Sequence, residues 1–169
     1  MAYASWSVTY GEQPSAAKWN ILGSNDAHFY GFLGDNEAWQ SWTPTFVNLS
    51  GGTLNYSDYT AIGNTVFYRL KYSLAGAGVA GAVTFTLPVA ENTEYDQAGV
   101  TPMGTAVFRD TGTTVFDGVV VWSSSGIAEV RAKAVSTYVT MATQLSSTVP
   151  MTWANTDQIH ISGFYESAT

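Results

Sequence analysis

His28 and His160 are the only histidines of the chain, and with thirteen carboxylates and no cysteine they make up most of its reactive inventory. The missing cysteine rules out disulfides, Cys-ligated zinc and thiol catalysis. A histidine-based hydrolase needs the ring beside an activated nucleophile and an orienting acid, and no spacing here supplies that trio. In "DQIHISGFYE" the alternation places His160 with Gln158, Ser162 and Glu166, opposite Ile159 and Ile161. It therefore reads as a solvated strand residue.

The carboxylates offer many pairs. Glycoside hydrolysis needs two of them roughly 5–10 Å apart around a sugar, and sequence alone does not say which would meet, so a cell-wall or capsule hydrolase stays open at this level. Asp58, Asp96 and Asp110 stand in Ser-, Gly- and Thr-containing neighbourhoods and read as turn residues. No signature of a known catalytic class is present, and no Asp-rich calcium loop appears. The expectation is a non-enzymatic protein without catalytic residues, cofactor or metal.

The aromatic side chains carry more information. Six Trp and ten Tyr are a heavy load for 169 residues. Trp39, Trp42, Trp122 and Trp153 are candidates for stacking against sugar rings. The competing use of such side chains is to fill a core or a subunit contact, where they are also enriched.

Only 11% of residues are charged, against roughly 25% in an ordinary globular chain. The surface must therefore be rich in Ser, Thr, Asn, Gly and Tyr, as where much of it faces other subunits. A net charge of −7 disfavours nucleic acid, whose phosphates call for clustered Lys and Arg. Lys18, Arg69, Lys71, Arg109, Arg131 and Lys133 form no cluster along the sequence. "MAYASWSVTY" lacks the basic and apolar regions of a secretory signal. No run reaches the roughly 20 apolar residues of a membrane helix. Synthesis in a cytoplasm without membrane insertion is expected.

Those residues must be positioned by two kinds of element. In residues 1–41, "SWSVTY" suits an extended arm, and Pro14 and Gly23 mark the start and end expected of a short helix. A helix that short is marginal alone, so Trp6, Tyr10, Trp19, Ile21, Leu22 and Phe29 are candidate contacts to a partner surface. From Trp42 the period becomes two. "NTVFYRLKYSL" puts Val66, Tyr68, Leu70, Tyr72 and Leu74 on one face, and "AVTFTL" does so with Val83, Phe85 and Leu87. About eight such segments separated by turn residues predict an antiparallel β-sandwich or jelly roll over 42–169. Ser136–Leu145 fits strand or helix.

Two blocks carry a resemblance. "SWSVTYGEQPSAAKWNILGSNDAHF" resembles the N-terminal segments of tail-fibre, head-fibre and other minor structural proteins of tailed bacteriophages. "WQSWTPTFVNLSGGTLNYSDYTAIGNTVFYRLKYSL", "GAVTFTLP" and "WANTDQIHISGFYE" are similar to small β domains of the same class. Only "YGFLGDNEA" separates the blocks, in place of the glycine loops and long shaft of longer relatives. The resemblance implies a virion protein, either a short fibre or a head-fibre or capsid decoration protein. Residues 1–41 would attach it to capsid or tail, and the β domain would face outward as a homotrimer. The alternative is a lectin-like module that recognises host-surface glycan.

Overall fold

The computed structural model describes residues 7, 10–33, 39–95, 97–135 and 139–168. The chain divides into two compact units, the second running from Trp39 to Thr169.

Among its described residues the first unit holds one helix, α1 (Ala16–Leu33). Its N-terminus is set by Ser15, whose Oγ accepts from the Lys18 N–H at 3.3 Å and whose carbonyl accepts from Trp19 N at 3.1 Å. That is the capping arrangement serine is suited to. Pro14 thus precedes the cap instead of opening the helix. Gly23 does not end it either, and α1 runs ten residues further. A glycine inside a helix costs only about 1 kcal/mol relative to alanine, and no proline follows to stop the propagation. The expected arm lies outside the described residues except for Ser7 and Tyr10.

The second unit is built from ten antiparallel strands: β1 (Gln40–Ser41), β2 (Phe46–Leu49), β3 (Gly52–Ile62), β4 (Thr65–Ala75), β5 (Val79–Thr86), β6 (Pro102–Asp110), β7 (Thr114–Ser124), β8 (Ile127–Val135), β9 (Val139–Gln144) and β10 (Asn155–Glu166). All belong to one sheet in the order β1-β3-β4-β10-β6-β7-β8-β5-β2, with β9 paired to β8. The chain is therefore all-β with one N-terminal helix, as its periodicity predicts. The two layers of the expected sandwich are two halves of a single curled sheet. The ambiguous stretch resolves as β9, with residues 136–138 outside those described.

One short stretch finishes both ends of the curl. Gln40 and Ser41 pair with Tyr59 and Asp58 of β3, and Trp42 N donates to Ser57 O at 3.1 Å. Past Pro44 the same stretch changes partner: Thr86 N donates to Thr45 O, and Phe46 and Val47 pair with Phe85 and Thr84 of β5. Proline brings no N–H to this crossing and leaves no donor stranded there.

β4 and β5 face each other across the core. Val66, Tyr68, Leu70, Val83, Phe85, Leu87, Ile159 and Ile161 are all buried, as the alternation requires. The Tyr68 ring lies 6.1 Å from Phe85 and 5.9 Å from Tyr165 between centroids. Its hydroxyl donates to Met103 O at 3.2 Å. Gly163 pairs directly with Gly104, and a Cβ on Gly163 would stand 2.2 Å from Met103 O and 2.8 Å from the Tyr68 hydroxyl. Two facing glycines thus make room for a tyrosine that could not otherwise lie flat against the sheet.

Among the described residues, buried charge is confined to places where it has partners. Glu91 accepts from Trp122 Nε1 at 3.0 Å and from Gly126 N at 2.8 Å. Asp157 accepts from Thr111 N and Ala154 N at 3.0 and 2.8 Å, tying the β6–β7 turn to the start of β10. Arg131 makes a two-pronged pair with Glu129, both bonds at 3.0 Å, and donates to Gly99 O at 3.3 Å. This holds the segment before β6 over β7 and β8, where Val119 and Val121 are buried.

Candidate functional site

On β4, burying Val66, Tyr68 and Leu70 forces Phe67, Arg69 and Lys71 outward. On β10, burying Ile159 and Ile161 turns Gln158, His160 and Ser162 outward in the same way, and on β6 the outward set is Thr105, Val107 and Arg109. These strands are neighbours, so the polar sets fall into rows across one face. His160 stands opposite Lys71 on one side and Val107 on the other. Gln158 stands opposite Arg109. On the far side of β4, Lys71 faces Tyr56 and Arg69 faces Asp58.

Four of the six basic residues, Arg69, Lys71, Arg109 and Lys133, are brought onto this outer surface although the sequence scatters them. Two have acidic partners. Arg69 donates from Nε and from one terminal nitrogen to Asp58 Oδ2 at 3.3 Å, and Lys133 lies 3.8 Å from Asp117. Among the described residues, no carboxylate lies within 4 Å of Lys71 or Arg109.

His160 reports the resulting field. Its pKa is lowered from the ordinary histidine value, first by partial burial and then by the charges of Lys71 and Arg109. The ring accordingly favours its neutral form, in which Nε2 lies 3.0 Å from Gln158 Oε1. Beside this basic row is an aromatic corner. The Arg69 guanidinium sits 4.3 Å from the centre of the Trp39 ring and 5.7 Å from that of Tyr56, within cation–π range. Trp39 and Tyr56 are 45% and 41% exposed, so both rings stay open to a ligand. Ser41 Oγ donates to Asp58 Oδ1 at 3.4 Å on the same side, while Tyr59, turned inward against Trp42, donates to Gln40 Oε1 at 3.0 Å.

The four candidate sugar-stacking tryptophans occupy different settings. Trp153 is 2% exposed, its ring edge-on to Phe108 and its N–H donated to Ser146 O at 2.9 Å. Trp42 is half-buried, edge-on to Tyr59 and Tyr68, with its N–H on Thr86 O. Trp122 is half-buried and held by Glu91. Trp39 presents its ring at the surface. The indole N–H groups of Trp42, Trp122 and Trp153 are all satisfied within the fold, as buried tryptophan requires.

Among the candidate anchoring residues, Tyr10, Trp19 and Leu22 are exposed, and Ile21 is half-buried. Trp6 lies outside the described residues; Phe29 and His28 lie in α1, with side chains outside those described. Asp58 is a correction to the sequence reading, for it sits within β3 paired to Arg69 and not in a turn. Asp110 does open a turn, its carbonyl accepting from Thr113 N at 3.1 Å. Asp96 lies outside the described residues.

Two open clefts accompany the surface. One of about 700 Å³ lies where β5 gives way to β9 along the edge of β8 opposite β7, lined by Arg131, Gln144 and Ser146 among others. A second, of about 310 Å³, lies over the paired glycines beside Thr105, Ser162 and Phe164. Among the described residues no group of three or more His, Asp or Glu side chains could hold a metal ion. Nor is any helix among them long and apolar enough to cross a membrane.

No protein-family model, no curated protein and no solved structure matches this chain.

Proposed function

We propose that the chain is a structural component of a tailed-bacteriophage particle, a short fibre or a head-fibre or capsid decoration protein. Its N-terminal unit attaches, and its β unit is what that attachment presents. The observation that carries this reading is the exposure of large apolar side chains on the N-terminal unit. Trp19 is 56% and Leu22 40% exposed on α1, with Tyr10 fully exposed before it. Such side chains lose free energy in water, about 25 cal/mol for each Å² left uncovered, and are satisfied by a partner surface. They fall in the segment whose wording resembles phage attachment regions. The β unit, which follows in the sequence, has its own core and needs no help from that segment to bury it.

Removal of residues 1–38 should leave a β unit that unfolds cooperatively but is missing from purified particles, as read by mass spectrometry of the particle proteins. The full chain, supplied in the same way, should be present. Incorporation of the truncated chain at the level of the full one would overturn the reading.

A further inference from the structure

We propose that the outer face of β3, β4, β10 and β6 binds a carboxylate-bearing polysaccharide, with its sugar rings on Trp39 and Tyr56 and its acid groups on Lys71 and Arg109. The assignment stands on this face alone and does not depend on the particle reading, so either can fail without the other.

The chemistry follows from what the face offers. Sugar rings have apolar C–H faces that stack on aromatic side chains, and Trp39 and Tyr56 are open at one edge of the row. Hydroxyl groups need donors and acceptors, which Asp58, Gln158 and His160 provide on the same surface. Carboxylates need cations without a competing acid, and Lys71 and Arg109 meet that condition among the described residues. A desolvated cation beside a carboxylate gains a charge-assisted hydrogen bond, roughly twice as strong as a neutral one.

Spacing separates this ligand from other polyanions. From Tyr56 on β3 to Arg109 on β6 is three strand steps of roughly 4.8 Å with an offset of two residues, about 16 Å. That length suits several linked rings and exceeds a single ion. Lys71 and Arg109 are two steps apart and offset by two residues along the strands, about 12 Å, which fits the sparse charges of a polymer carrying at most one carboxylate per ring. Duplex DNA carries one charge per ~1.7 Å, too dense for two unpaired cations on a chain of net charge −7.

The full chain is titrated with oligogalacturonate and oligosialate, with neutral oligosaccharides of the same length, and with duplex DNA and phosphatidylserine vesicles. At least one of the two acidic oligosaccharides should bind, more weakly as salt rises, while the neutral ones do not. The double variant Lys71→Gln, Arg109→Gln should bind at least about tenfold less tightly. Arg109→Lys, which keeps the charge, should stay close to the parent and controls for folding. Tyr56→Ala should weaken binding without removing its salt dependence. The proposal is overturned if neither acidic oligosaccharide binds or if the neutral ones bind as well. Equal binding by the double variant, or tighter binding of DNA or vesicles, overturns it too.

Discussion

His160 is where the geometry of the outer β face becomes measurable in a single residue. Burial, Lys71 and Arg109 all lower its pKa below the ordinary value of 6.5. The groups around it are Lys71 on β4, Gln158 on its own strand, and Val107 and Arg109 on β6. Asp117 is one strand further, opposite Val107 and paired with Lys133. Because the unfolded chain takes up the proton at a higher pH than the folded one, its uptake favours unfolding. His160 thus lets the protein keep full stability above pH 6.5 and lose some of it as pH falls through the folded pKa. His160→Gln should flatten the dependence of the unfolding midpoint on pH in that window and leave it unchanged at pH 8. Equal slopes in parent and variant would show that the histidine does not feel its neighbours. By NMR, the His160 pKa should rise when Lys71 is replaced by Gln, since one of the two depressing charges is then gone.

At the scale of elements, the pairing of Gly163 with Gly104 is the least forgiving point of the sheet. A methyl group on Gly163 would meet Met103 O at 2.2 Å and Gly104 Cα at 2.8 Å, both backbone atoms that move only if the β6–β10 pairing moves. Gly163→Ala should therefore destabilise the β unit by about 1–3 kcal/mol, the range for forced overpacking. Ser162→Ala, one residue away and facing out, should change little. The two midpoints in a denaturant titration decide this, and equal midpoints would mean that the glycines are not there to admit Tyr68. The same strands show what was legible beforehand. β4 and β10 alternate cleanly, so Val66, Tyr68, Leu70, Ile159 and Ile161 could be placed inward from sequence. β3 resisted, because the register shifts between Leu54 and Tyr56. Beyond that shift its buried residues are Ser57 and Thr60, three apart and polar, where a period of two was sought. The candidate site was hidden for a different reason. That Arg69 and Lys71 point outward follows from β4 alone. That Arg109 shares their face depends on β10 lying between β4 and β6, a long-range pairing that no local pattern encodes. The helix runs through Gly23, Ser24, Asn25 and Asp26, a cluster that reads as a turn, and continues to Leu33 with no proline to stop it.

At the scale of the whole molecule, the expected assembly is a homotrimer, and the argument for association begins with what the described surface leaves uncovered. Phe67 on β4 and Phe164 on β10 stand directly opposite each other on the outer face, ring centroids 6.0 Å apart, and both are exposed. They offer apolar area that a second copy can bury, and the N-terminal unit, taken by itself, exposes Trp19 and Leu22. Only 11% of residues are charged, so a subunit contact can form here without stranding ions in low dielectric. Sheet edges supply less of the drive, because the stretch from Gln40 to Leu49 pairs with both β3 and β5 at the two ends of the curl, leaving fewer open edges to extend by strand pairing. Association is therefore expected through side-chain faces, in a closed symmetric arrangement. The number three comes from the resemblance to phage fibre and decoration proteins, which a dimer would satisfy equally on charge alone. Light scattering on the full-length chain across the micromolar range should give three times the 18.1 kDa chain mass. Phe164→Ser should shift the distribution toward monomer without lowering the unfolding midpoint of the β unit, since the ring leaves a surface and no core. A parent that is monomeric throughout would end the proposal, and a dimer would correct its stoichiometry while leaving the Phe67–Phe164 contact to be tested by the same substitution.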